Sequence, residues 1–72
     1  MIKITNNDDL RQYIYSTARR RETKDHDIAS KIARVIHVSL STVQGWILIS
    51  NPKTLTPRNA KLIEQAIERG DI

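Results

Sequence analysis

Apolar residues recur along this chain at helical spacing, in four stretches separated by turn residues, and that periodicity predicts four short helices. Leu10, Ile14 and Ala18 fall at i, i+4 and i+8 with Tyr13 alongside. A first helix, capped by Asn6 or Asn7, is therefore predicted to run to about Arg20, with Arg11, Gln12, Ser16 and Arg19 facing water. Asp8 and Asp9 complement the positive end of its dipole, and the arginines at its end complement the negative one. Ile28, Ala29, Ile32, Ala33 and Ile36 make the apolar face of a second helix, which Thr23 or Asp25 can cap. His37-Val38-Ser39 interrupts the pattern, and Ser39 is the natural N-cap of a third helix predicted to continue to about Ile49. Val43, Trp46 and Ile47 form its inner stripe. Pro52 ends it, because the residue before a proline is pushed out of the helical region. A fourth helix follows Thr56 with Pro57 in its first position, buries Ala60, Ile63, Ala66 and Ile67 with Leu62 flanking, and stops at Gly70.

One segment departs from this period. Met1-Ile2-Lys3-Ile4-Thr5 alternates apolar and polar residues, as a half-buried strand does, yet no second strand-like run exists to pair with it. It must cap the helices, fray, or pair with its copy in another subunit. The expected class is all-α: a single domain over residues 1–72 built of four helices, with a short N-terminal β-strand as an optional addition.

Composition narrows the function. A chain of 72 residues has room for one core. Without cysteine it has neither disulfide staples nor a thiolate metal site, which suits a reducing compartment, most simply a cytoplasm. Its longest apolar run, Trp46-Ile47-Leu48-Ile49, is far short of a membrane span, and no signal-peptide pattern precedes it. The expectation is a soluble, unprocessed protein. The net charge of +4 is unevenly spread. Residues 1–18 balance, residues 19–61 hold nine basic against three acidic side chains, and residues 62–72 carry Arg69 against Glu64, Glu68 and Asp71. A basic middle between neutral and acidic ends suggests one polyanion-facing surface, with a solvated face as the plain alternative.

The pair of helices between residues 27 and 49 carries the functional argument. Apolar residues at both ends of a three-residue turn let two helices cross steeply and share one small core, with Ala33 where the second helix comes close. This spacing, and the run Val38-Ser39-Leu40-Ser41-Thr42-Val43 in particular, resembles the helix-turn-helix of small phage and plasmid repressors of the Cro and lambda-repressor type. The Val-Ser-x-x-Thr-Val stretch is also similar to the headpiece of lac-type repressors. The resemblance covers about 20 residues closely and the four-helix frame loosely. It departs from the family in two ways: His37 stands where such turns usually have glycine, and the exposed side of the third helix offers few long polar side chains.

The resemblance implies a regulator that lays residues 39–49 in the major groove of double-stranded DNA. Gln44 is then the best base reader, since its amide can pair with adenine in bidentate fashion. Ser41 and Thr42 can reach a base edge or a phosphate, and Leu40 a thymine methyl. Gly45 in mid-helix costs about 1 kcal/mol relative to alanine, so it marks a close approach of backbone to DNA or to the second helix. Candidate phosphate contacts are Arg19, Arg20, Arg21, Lys31, Arg34, Ser39, Lys53 and Arg58; for the arginine run, helix-end stabilisation is an equal alternative.

An enzyme is not expected. His26 and His37 have no carboxylate-and-nucleophile arrangement near them, two glycines make no phosphate loop, and the ligand count for a metal is too low, so neither cofactor nor metal is expected. The serious competitor is a protein-interaction adaptor or antirepressor that docks through Leu48, Ile49 and the fourth helix. One short reading helix covers only about four or five base pairs, so a DNA-binding chain of this size implies a homodimer, joined through the N-terminal strand, the end of the third helix or the fourth helix. Repression fits better than activation, because little surface is left to recruit a polymerase; a recombination accessory protein or an antitoxin subunit would use the same binding mode.

Overall fold

The computed structural model describes residues 3–72 and is all-helical over them: α1 (Asn7–Arg20), α2 (Asp25–Ile36), α3 (Leu40–Trp46) and α4 (Pro57–Arg69). Each start has a local cause. The Asn6 side chain accepts from the Asp9 backbone N–H at 2.8 Å to open α1, and Thr56 Oγ1 accepts from the Asn59 N–H at 3.3 Å to open α4. Pro57 takes the first turn of α4 as expected.

α2 begins between the two predicted caps, and neither Thr23 nor Asp25 is its N-cap. Its N-cap is Lys24, whose backbone N–H donates to the Asp27 carboxylate at 3.4 Å. Thr23 instead belongs to the end of α1, its N–H donating to the Ala18 carbonyl at 2.8 Å while Glu22 adopts the left-handed conformation (φ 56°). His37 ends α2 in the same way, at φ 61° and ψ 48°, with the Val38 N–H returning to the Ala33 carbonyl at 3.0 Å. The turn therefore takes the geometry that glycine would supply, with the Cβ penalty retained.

α3 is the main departure from the sequence pattern: it stops at Trp46, three residues before Ile49. The carbonyls that would continue it are taken by others. Gly45 O accepts from the Lys53 N–H at 2.9 Å, and Trp46 O accepts from the Asn7 side chain at 2.9 Å. Helix-end carbonyls need such partners, and here the partners come from the returning loop and from α1. Leu48 and Ile49 consequently lie in a loop rather than on a helix.

α2 is the central element, in contact with α1, α3 and α4, while α3 also touches α1. Leu10, Ile14, Ile32, Val43 and Ile63 are fully buried where the helices meet, and Trp46 joins them as its place on the Val43 stripe predicts. Burying each such side chain stabilises the fold by roughly 1.5–3 kcal/mol. Three further core residues come from outside the helices: Ile4, Leu55 and Ile72. Lys3, Ile4 and Thr5 form no strand. Ile4 buries its side chain among the helices and donates its N–H to Glu64 Oε1 at 2.8 Å, so this segment closes the core; Met1 and Ile2, the rest of the expected strand, lie outside the described residues. Among the described residues no helix is long and apolar enough to cross a membrane.

Candidate nucleic-acid interface

The periodicity of α3 divides it into two sides. Val43 and Trp46 anchor one side in the core, which leaves Ser41 and Gln44, three residues apart, exposed on the other. Leu40 is half-buried at the edge of that face. Thr42 is half-buried too, and its hydroxyl hydrogen-bonds Ser39 Oγ at 2.7 Å. Ser39 Oγ also accepts from the Thr42 N–H at 3.2 Å, as the N-cap pattern predicts. The Ser39 hydroxyl is thus occupied with its own helix, although the residue remains exposed.

Gly45 lies on the same side of α3 as Ser41 but is not exposed, although the sequence placed it among the base-reading residues. It is buried, and its cover is the side chain of Lys53: a methyl group at position 45 would lie 2.7 Å from Lys53 Cδ. The close approach that a mid-helix glycine signals is therefore neither to DNA nor to α2 but to a lysine stem eight residues further along the chain. Lys53 itself is exposed, so its stem lies on α3 while its ammonium is open to solvent.

The segment that carries Lys53 is held from α1. Asn7 Nδ2 donates to the Lys53 carbonyl at 2.6 Å as well as to Trp46 O, and Asn7 Oδ1 accepts from the Leu55 N–H at 3.4 Å. One carboxamide thereby ties the end of α3 and the start of the 53–55 stretch to the first turn of α1. Nothing local in the sequence could have shown this, since its partners lie 39 to 48 residues away.

The remaining candidate phosphate contacts fall into separate places. Arg58 is exposed in the first turn of α4, which holds no acidic residue, and lies five residues beyond Lys53. A cation there gains nothing from the positive end of its helix. Lys31 and Arg34 are exposed on the side of α2 opposite Ile28, Ile32 and Ala33. Arg19 and Arg20 are exposed at the end of α1, next to the start of α2, so the length of α2, about 18 Å, separates them from Ser39. Arg21 is engaged elsewhere, with its guanidinium donating to the Ile72 carbonyl at 2.7 Å beside the end of α4.

Among the described residues no three His, Asp or Glu side chains are grouped to hold a metal ion. Hydrogen bonds from the Thr5 hydroxyl and the Thr5 N–H hold the pKa of Asp9 below the ordinary 3.8, which ties residue 5 to α1. Leu48 and Ile49 are strongly exposed, at 51% and 79%. Compared with protein-family models, with curated proteins and with solved structures, the chain finds no match in any of the three, so a functional reading has to rest on the geometry above.

Proposed function

We propose that this chain is a sequence-specific double-stranded DNA-binding regulator of the repressor-type helix-turn-helix kind, of phage or mobile-element character and working in a cytoplasm. α2 and α3, with the His37-Val38-Ser39 turn between them, form the motif, and α3 enters the major groove. The observation that carries the reading is the exposure of Ser41 and Gln44 on a helix whose other side is fixed in the core by Val43 and Trp46. A reading helix needs such a rigid mount, because a base contact is worth its roughly 1–3 kcal/mol of discrimination only when it is held in register. Lys53 and Arg58 supply cations directly after α3, and Lys31 and Arg34 supply them along α2, where phosphates flanking the groove would pass.

Two copies complete the proposal, since one helix as short as α3 reads only about four or five base pairs and half-sites about one DNA turn apart give a usable operator. Leu48 and Ile49 favour a copy-to-copy contact beside the groove. The same exposure favours the second reading, an adaptor or antirepressor that uses these residues to hold a protein partner.

A mobility-shift titration decides between them. The DNA upstream of the chain's own gene is titrated at two salt concentrations against scrambled competitor. A regulator binds its site preferentially and loses affinity steeply as salt rises. An adaptor shows neither preference nor steep salt dependence.

A further inference from the structure

Position 45 is where the pattern of the α3 face and its observed surface disagree. Ser41 and position 45 are four apart, so a side chain at 45 would continue the exposed row that Ser41 begins. The chain has glycine there and covers it with a side chain borrowed from residue 53: an added methyl would meet Lys53 Cδ at 2.7 Å and both Cγ and Cε at 3.0 Å. The backbone fixes the same residue twice, through the Lys53 N–H on Gly45 O at 2.9 Å and through Asn7 Nδ2 on the Lys53 carbonyl at 2.6 Å. A lysine on a surface loop ordinarily samples many rotamers, and ordering one opposes any contact it makes. Here the stem has a floor to lie on, and both of its backbone groups are tied down.

We infer that Gly45 is a positioning residue: it vacates one place on the α3 face so that the Lys53 stem lies across the helix and presents a pre-ordered ammonium to a DNA phosphate next to Ser41 and Gln44. The inference deepens the DNA-binding reading and rests on it. It also gives a reason for a glycine in a seven-residue helix at a position with no left-handed backbone to require one. Without the lysine, alanine would be the better residue there.

The test compares the wild-type chain with Gly45→Ala, Lys53→Met and the double variant, on duplex operator DNA across a salt series, with thermal melts of each protein. Lys53→Met keeps the stem and removes the charge, so the slope of log affinity against log salt falls by about 0.9, one phosphate contact. Gly45→Ala is expected to stay folded, because the crowded atoms belong to a flexible side chain that can swing away. It is expected to lose the same 0.9 of slope, and the double variant to lose no more than Lys53→Met alone. A second readout needs no DNA. In a Lys53→Ala background the helix gain of Gly45→Ala appears in full, about fivefold in the folding equilibrium, and it is smaller when the lysine is present.

Each failure has its own meaning. If the wild-type chain binds operator and Gly45→Ala keeps the full slope, the positioning role is overturned while the DNA-binding reading stands. An unchanged slope in Lys53→Met overturns the phosphate contact in the same way. If the wild-type chain binds no duplex even at low salt, the DNA-binding reading itself falls and takes this inference with it. A Gly45→Ala gain that is equal in both backgrounds overturns the seat regardless of DNA.

Discussion

Asn7 and Lys53, 46 residues apart in the chain, are joined by a 2.6 Å hydrogen bond from the Asn7 carboxamide to the Lys53 carbonyl. The same side chain also binds Trp46 O and the Leu55 N–H, so the first turn of α1 determines where α3 ends and where the loop behind it returns. Asn7→Ala removes three contacts to backbone groups at once. Each is worth about 1 kcal/mol, and the Trp46 carbonyl is left in partly buried surroundings. The expected loss is about 2–3 kcal/mol, read from urea denaturation. A loss below about 0.5 kcal/mol would show that water replaces the carboxamide without penalty.

His37 offers the opposite case, a gain. It holds the left-handed conformation at the end of α2 with a Cβ that this region disfavours. His37→Gly is expected to stabilise the fold by about 0.5–1 kcal/mol, and the thermal midpoint to rise by roughly 2–8 °C for a chain of this size. An unchanged or lower midpoint would mean that the histidine makes up its backbone cost through contacts of its own.

Gln44 separates recognition from folding. Its side chain is exposed, so Gln44→Ala is expected to leave stability within about 0.5 kcal/mol of wild type. Under the DNA-binding reading it lowers the ratio of operator to scrambled affinity by about 1–3 kcal/mol, with little change in the salt slope. Fluorescence anisotropy on both duplexes at one salt concentration measures this. Equal losses on the two sequences would remove Gln44 from the base-reading set.

Ile49 tests the pairing of copies. Two exposed side chains are a small part of the roughly 800 Å² per partner that a stable interface buries, so the pair should form chiefly on adjacent half-sites. Ile49→Ser is expected to keep the melting temperature, to weaken binding to a two-half-site duplex about tenfold, and to leave binding to a single half-site unchanged. Equal affinities on the long duplex would locate the contact between copies elsewhere.

Asp9 gives the pH dependence its sign. Its pKa is depressed in the folded chain, first by the Thr5 hydroxyl and then by the Thr5 N–H. The stability it contributes is therefore present above the unfolded value near 3.8 and is lost as pH falls through the lower folded value. In urea titrations between pH 6 and pH 2, Asp9→Asn should flatten that part of the curve, and Thr5→Val should shrink it. An Asp9→Asn chain with the full wild-type slope would assign the effect to other carboxylates.

The sequence by itself determined whatever depends on neighbours within a turn or two. The four helices, a first cap at Asn6 or Asn7, the caps at Ser39 and Thr56, Pro57 in the first turn of α4, and the burial of Leu10, Ile14, Val43, Trp46 and Ile63 all follow from local spacing and side-chain chemistry. The exposure of Ser41 and Gln44 follows from the same spacing, because a helix that buries Val43 and Trp46 must turn those two outward. Tertiary structure alone decided that α3 stops at Trp46, that Ile4 joins the core instead of a strand, that Arg21 turns to Ile72, and that Gly45 lies beneath Lys53. The physical reason is common to all four. Each depends on a backbone group or apolar surface that needs a partner, and periodicity along the chain reveals the need but not which distant residue meets it.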